Sequence, residues 1–296
     1  MPRILLIRNP QAGGLRGARR LAAVRAAIGR AGVALEEFPC DAPGASEQAA
    51  REAAARADLD ALWVLGGDGT VRAVAAGLRG SELPLGVLAG GTTNVVAAAL
   101  QVPSDPRAAV AALLASRVRT FDLGLCGEAP FLMQATAGLD ARIMSRVDPR
   151  LKRRFGKGAV VWAGLREWAR YRFPAIEVEA DGRRELATGV AICNLSEYAG
   201  SFRMIPGGRA DDRRLDLLLF RGHRRRDAFG FALALARGRH ARRRDVEIRP
   251  VTEVSLLGPP DTPLQLDGDP WPARYPLRLT LAPERLRVLA PDPAGR

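Results

Sequence analysis

Short apolar runs alternate with amphipathic stretches through the first part of the chain. Ile4 to Ile7 has the pattern of a buried strand, and Leu21, Val24 and Ile28 then recur at helical spacing up to a stop near Gly32. Val33 to Phe38 predicts a second strand and Ala49 to Ala57 a second helix. Leu62 to Leu65 and Leu85 to Leu88 predict two further strands, each followed by a helix; behind the first of them Val71, Val74, Ala75 and Leu78 share one helical face. Such alternation predicts a parallel sheet covered by helices, an α/β domain. Ligands of these sheets bind beyond the carboxyl ends of the strands.

The pattern changes after about Asp122. Strand-like runs follow at Phe131 to Ala137, Ala175 to Glu179, Leu186 to Cys193, Leu215 to Phe220, Val251 to Leu257 and Leu277 to Leu281. Only two long helices are predicted here, Ala159 to Tyr171 and Arg226 to Arg237, and Asp181-Gly182 predicts a hairpin turn. The expectation is a nucleotide-binding α/β domain over 1–122 and a mainly antiparallel β domain over 123–282. No flexible linker joins them, so the expected active site is a cleft between packed domains.

Three glycine-rich turns fall at the carboxyl edge of the predicted parallel sheet. They are Asn9-Pro10-Gln11-Ala12-Gly13-Gly14, Gly66-Gly67-Asp68-Gly69-Thr70 and Gly90-Gly91-Thr92-Thr93-Asn94. Glycine lets a backbone approach a phosphate closely, and a helix start behind the turn offers unpaired N–H groups to an anion. Asp68 sets a carboxylate where phosphate would sit, which makes sense if a divalent cation lies between the two. The plainer reading is a tight turn with Asp68 as a helix cap; the recurrence of three such turns favours a metal–nucleotide site. Two acidic turns, Asp211-Asp212 with Asp216 and Asp267-Gly268-Asp269, could supply a base, although each could equally be a polar turn.

Several classes are excluded. The chain has no G-x-x-x-x-G-K-[ST] phosphate loop, and no G-x-G-x-x-G follows its first strand. Its only histidines, His223 and His240, lie in arginine runs, which argues against histidine chemistry. Cys40, Cys126 and Cys193 form neither a zinc nor a disulfide framework, so a reducing cytoplasm is expected. The first apolar run is too short for a signal peptide, and no stretch reaches membrane-spanning length. A net charge of +13, carried almost wholly by arginine, favours a polyanion. Aromatics make up only 5% and are not interleaved with the basic runs, so an anionic membrane surface is favoured over nucleic acid.

Together the ordered motifs resemble the diacylglycerol kinase catalytic-domain family. They are Asn9-Pro10 with Gly13, Gly66 to Thr70, Gly91 to Asn94, Asp122-Leu123-Gly124, Gly138-Leu139-Asp140, Leu151 to Arg153, Asn194, Pro206 to Asp216, Asp267-Gly268-Asp269 and Leu289 to Pro291. More narrowly, the chain looks like the soluble bacterial lipid kinases, relatives of sphingosine and ceramide kinases; the glycine–aspartate motif alone is shared with NAD kinases. The resemblance implies an NAD-kinase-like first domain, to which residues from about 283 to 296 return. It implies that ATP is held by Asn9, Pro10, Gln11, Ala12, Gly13, Gly66, Gly67, Asp68, Gly69, Thr70, Val71, Arg72, Thr92 and Asn94. Asp68 would serve the catalytic Mg2+, Asp122 would lie near the reacting groups, and Asp269 would be the general base. Asp212, with backbone oxygens of Arg209 and Arg214, matches a structural Mg2+ site.

The chain departs from the family pattern at four places: Asp269 stands for a glutamate, Arg213 for a glycine, Val95 for an aspartate and Cys40-Asp41 for a threonine-led helix start. The implied activity is ATP- and Mg2+-dependent phosphorylation of a hydroxyl on a diacylglycerol-like or sphingoid lipid, by a cytoplasmic protein peripherally bound to the membrane. The alternatives are a non-catalytic nucleotide- or lipid-binding relative and a soluble-substrate kinase such as an NAD kinase. Neither the particular lipid nor the oligomeric state follows from the sequence.

Overall fold

The protein is described by a computed structural model covering residues 1–10, 14–148, 151, 157–199 and 202–292. The chain forms two compact units, Met1–Phe121 with Pro283–Arg296, and Asp122–Ala282.

The first unit begins β1 (Arg3–Arg8), α1 (Gly14–Arg30), β2 (Ala34–Pro39), α2 (Ala45–Ala54) and β3 (Ala61–Gly66). It continues through α3 (Asp68–Gly77), β4 (Leu85–Ala89), α4 (Val95–Ala99), α5 (Pro106–Leu114) and β5 (Arg117–Phe121). Strands β1 to β4 are parallel, as the uninterrupted apolar runs of β1, β3 and β4 predict: Ile4–Ile7 and Leu62–Leu65 are buried whichever way their side chains point. The sheet order is β2-β1-β3-β4-β20-β5, where β20 is the late strand Leu286–Ala290. It lies parallel to β4 and antiparallel to β5. Helices α2 and α3 cross at Gly77, where a Cβ would stand 2.3 Å from the Glu47 carbonyl oxygen. Helix α2 starts earlier than the apolar pattern suggests, because Gly44 at φ 79° turns the chain into it.

The second unit is a sandwich of two six-stranded antiparallel sheets. Its strands run β6 (Gly124–Cys126), β7 (Ala129–Phe131), β8 (Gln134–Gly138), β9 (Ile176–Ala180), β10 (Arg183–Ala187), β11 (Gly189–Cys193), β12 (Glu197–Tyr198) and β13 (Phe202–Arg203). They continue β14 (Leu215–Phe220), β15 (Val246–Val251), β16 (Glu253–Gly258), β17 (Leu264–Leu266), β18 (Asp269–Trp271) and β19 (Leu277–Leu281). One sheet has the order β10-β9-β16-β19-β6-β7 and the other β15-β14-β11-β8-β17-β18; β12 and β13 pair separately. Alternation along each strand divides the core. Val190, Ile192, Leu217 and Leu219 face the other sheet, meeting Ile176, Val178, Val254 and Leu256. Ala191, Cys193, Leu218 and Phe220 face outward, where α8 (Arg225–Ala236) covers them with Ala228 and Leu235. The remaining helices are α6 (Leu139–Arg146) and α7 (Lys157–Arg170), which pack on one another.

Three runs expected as single strands are broken. Leu186–Cys193 divides at Thr188, whose amide and hydroxyl both donate to the Phe220 carbonyl; β10 then belongs to one sheet and β11 to the other. Phe131–Ala137 divides between β7 and β8, and Val251–Leu257 divides at Thr252. Each break is a corner where the chain leaves one sheet for the other, and the apolar pattern runs through it because both sides are core. The Asp181-Gly182 hairpin forms as expected, with φ of 49° and 75° joining β9 to β10.

Candidate active site

In the first unit, two of the glycine turns pack against each other. Turn two leaves β3 and turn three leaves β4, and the Gly90 amide donates to the Gly66 carbonyl at 2.9 Å. A Cβ at Gly90 would lie 2.7 Å from the Gly66 nitrogen, and one at Gly91 would lie 2.5 Å from the Gly67 Cα. These glycines are therefore required by backbone touching backbone, whatever ligand the turns hold.

Asp68 is the first residue of α3 and is buried. Its Oδ2 accepts from the Thr93 hydroxyl at 2.8 Å and its Oδ1 from the Val96 amide at 3.2 Å. The carboxylate therefore braces turn three while keeping lone pairs to spare. Asn94, at φ 50°, closes the same turn: its Oδ1 accepts from the Gly91 amide at 2.6 Å and its Nδ2 donates to the Gly91 carbonyl at 2.9 Å. Its amide is thus spent on the turn, and Val71 is buried in the core. Thr92 and Gly69 are exposed; Asn9, Thr70 and Arg72 are half-buried. The Asn9 amide donates to the Leu65 carbonyl at 3.2 Å, which sets turn one beside the end of β3. Gln11, Ala12 and Gly13 lie outside the described residues.

Magnesium takes one or two carboxylates and fills its shell with phosphate oxygens and water. Asp68 fits that demand as a lone carboxylate. Asp212 fits poorly. Its Oδ1 already accepts from the Arg214 amide, and the Arg209 guanidinium is turned onto Asp211. No group of three His, Cys, Asp or Glu side chains among the described residues could hold a metal. Arg213 also brings a guanidinium into the same turn.

That guanidinium explains Asp122. Asp122 is wholly buried in the second unit, its Oδ2 accepting from the Arg213 amide at 2.8 Å and its Oδ1 lying 3.5 Å from the Arg213 guanidinium. Arg213 sits at φ 62° and also donates to the Ala282 carbonyl at 3.0 Å. Buried and ion-paired, this carboxylate ties the Arg213 turn to the start of the second unit.

The second acidic turn separates two roles. Asp267 is buried and accepts from three amides, Leu132 at 2.8 Å, Met133 at 2.8 Å and Gln134 at 3.0 Å. It fastens the β17–β18 hairpin to the start of β8. Asp269, two residues on, is half-buried at the head of β18, so it remains within reach of solvent.

Beside this hairpin lies a polar cluster that sequence reasoning missed. Asp140 accepts from the Thr136 hydroxyl at 2.6 Å, the Tyr198 hydroxyl at 2.5 Å and the Gln265 amide at 3.0 Å. Gln265 in turn accepts from the Gly268 amide, next to Asp269. Burial and the Asp140 carboxylate hold the Tyr198 phenol well above its usual pKa. Thr136 and Asp140, four residues apart across a strand–helix junction, gave a local hint; Tyr198 and Gln265 arrive from remote strands and gave none.

The cluster lines one part of an apolar cavity of about 370 Å³. Ile143, Phe173, Leu218, Phe220, Phe231 and Leu235 form most of the rest of its wall. Thus the second unit holds a greasy chamber with one carboxylate in its wall, hydrogen-bonded through Gln265 to the turn that presents Asp269.

An α/β unit with stacked glycine turns, followed by an antiparallel sandwich, defines a two-part kinase-like architecture. Residues 3–126 match the family described as the diacylglycerol kinase catalytic domain, and residues 134–290 match the YegS C-terminal NAD kinase beta sandwich-like domain. The chain belongs to the diacylglycerol kinase family, in its YegS-like branch. A "Probable lipid kinase YegS-like" of Pseudomonas aeruginosa (strain UCBPP-PA14) is 33% identical, over 81% of this chain and 80% of its own. The "Diacylglycerol kinase" of Bacillus subtilis (strain 168) is 27% identical over 91% of this chain and 90% of its own. An uncharacterized protein of Synechocystis is 32% identical over 46% of this chain, which spans 32% of that relative's length. A solved diacylglycerol kinase structure from Bacillus anthracis str. Sterne has a TM-score of 0.71 at 18% identity, over 99% of this chain and 97% of its own, and shows the shared fold.

Proposed function

We propose that the protein is an ATP- and Mg2+-dependent lipid kinase that phosphorylates a hydroxyl of a diacylglycerol-like or sphingoid lipid at an anionic membrane surface. The observation that carries this reading is the apolar cavity with its single carboxylate cluster. A soluble, charged acceptor would have little to contact there, whereas an acyl or alkyl chain would bury its methylenes at about 0.8 kcal/mol each. The family membership agrees with it.

Roles follow from each residue's surroundings. Asn9, Thr70, Arg72 and Thr92 offer hydroxyl, amide and guanidinium donors at the carboxyl edge of the first sheet for the phosphates of ATP. Asp68 offers its spare lone pairs to magnesium. When bound, ATP–Mg2+ supplies the phosphoryl group and neutralises its charge. Asp269 takes the proton from the acceptor hydroxyl as its oxygen attacks the γ-phosphorus and the bond to ADP breaks. Asp140 and Tyr198 orient the polar end of the acceptor, while the cavity holds its chain.

The test is transfer of labelled phosphate from ATP to a lipid panel, with and without magnesium. Transfer by the wild type, lost in Asp269→Ala and partly kept in Asp269→Glu, is the expected result; ATP binding should persist in both variants. A wild type that binds ATP yet labels no lipid would establish a non-catalytic relative instead.

A further inference from the structure

Helices α7 and α8 carry apolar side chains that no other described residue covers. Trp162 is 66% exposed, Leu165 59% and Phe229 60%, and Val161 and Leu233 are also exposed. They form one continuous ridge. Trp162, Leu165 and Trp168 succeed one another at helical i, i+3 spacing on α7. The Trp168 ring meets the Phe229 ring at 6.4 Å, and its Nε1 donates to the Arg225 carbonyl at 2.9 Å, which fastens α7 to α8. Leu233 follows Phe229 at i+4. Scattered exposed hydrophobics are ordinary, but an aligned aromatic ridge across two helices marks a contact surface.

Two observations identify the occupant. The first is charge. Arg225 and Arg226 stand before Phe229, and Arg237 and Arg239 stand after Leu233; all four are exposed. Beside α7 opens a cleft of about 530 Å³ lined by Arg142, Arg146, Arg166, Arg170 and Arg172; among the described residues Glu167, paired with Arg142, and Asp261 are its acidic lining. The cleft also contains the buried hydroxyls of Tyr171 and Thr262, for which no hydrogen-bond partner exists among the described residues. Guanidinium groups suit phosphodiester oxygens. The second is continuity. Ala232 and Ala236 of α8 and Phe202 of β13 are exposed and also line the apolar cavity, so the cavity opens beside the ridge. Helix α8 has one side on the cavity and the other on solvent.

We infer that the α7–α8 ridge lies in the headgroup region of an anionic phospholipid leaflet, with the arginine cleft on phosphodiesters and the cavity mouth opening toward the lipid phase. The inference rests on the lipid-kinase reading for what enters the cavity, and on the surface alone for the docking. Trp and Phe settle at such interfaces, and flanking arginines add electrostatic attraction that salt screens.

The experiment compares wild type with Trp162→Ser/Phe229→Ser/Leu233→Ser, three exposed positions outside the cavity and the proposed catalytic residues. Co-sedimentation uses vesicles of phosphatidylglycerol with phosphatidylcholine, and of phosphatidylcholine alone, at low and high salt. The wild type should prefer the anionic vesicles, more weakly at high salt. The triple variant should bind them about tenfold more weakly or worse, with unchanged circular dichroism. Phosphorylation of a water-soluble short-chain diacylglycerol should survive in the variant, while that of a long-chain lipid in vesicles falls with binding. Equal vesicle binding by both proteins overturns the inference. So does a wild-type dimer that the substitutions dissociate, because the ridge would then be a contact between two copies. A binding difference in a protein that phosphorylates no lipid upholds the docking surface and removes the kinase reading.

Discussion

Asp267 and Asp269 flank a single glycine, yet their surroundings give them opposite parts. Asp267 satisfies three buried amides, so removing its carboxylate strands all three. Asp267→Ala should therefore cost roughly 3 kcal/mol or more in a urea unfolding experiment, whereas Asp269→Ala, at a half-buried position, should cost clearly less. An equal loss in both would refute the division of roles. Glu37 offers a pH test. Its hydrogen bond to Arg25, with Arg8 also near, holds its carboxyl below the ordinary range despite partial burial. A depressed carboxyl contributes stability above its unfolded pKa of about 4.3, and that contribution fades as pH falls through the lower folded value. Glu37→Gln should lose about 0.5–1 kcal/mol at pH 7 and little at pH 3, a difference readable in thermal midpoints at the two pH values. At this scale the sequence was legible only where context is local. Asp68 announced itself between glycines after a strand, but Tyr198 and Gln265 reach Asp140 only through tertiary pairing.

Stacked turns explain more than either turn does alone. The glycine signal was plain in the sequence, and its physical cause is the approach of Gly67 to Gly91 and of Gly66 to Gly90. Gly91→Ala would press a methyl group onto the Gly67 backbone, which cannot swing aside as a side chain would. We expect a loss of about 2–3 kcal/mol and a matching fall in nucleotide affinity, measured by denaturation and by titration calorimetry. Asp68→Asn should act differently. The fold should survive, since the asparagine oxygen can still accept from the Val96 amide while its NH2 donates to the Thr93 hydroxyl, but magnesium-dependent turnover should fall about a thousandfold. Strands β1, β3 and β4 followed from their apolar runs, because a parallel sheet buries both faces of its central strands, whereas the exposed, arginine-bearing β5 gave no such signal. The corners of the sandwich did not, because Thr188 and Thr252 interrupt runs whose two halves are equally apolar.

For the whole molecule, the first sheet is built from both ends of the chain. β20 lies between β4 and β5 and alone connects them in the sheet. Its short apolar run, Leu286 to Ala290, resembles many others and does not reveal its partner, so this pairing is a property of topology. The order of synthesis is affected. A ribosome releases β1 to β5 long before β20 exists, and the intervening sandwich takes on the order of ten seconds to make at about 5–20 residues per second. During that interval β4 presents an unpaired edge, the kind of surface on which nascent chains pair wrongly with their neighbours. The first unit can therefore mature only after the sandwich has been translated, and a message cut short ahead of Leu286 would yield chains with an open sheet, suited to capture by chaperones or proteases and not to catalysis.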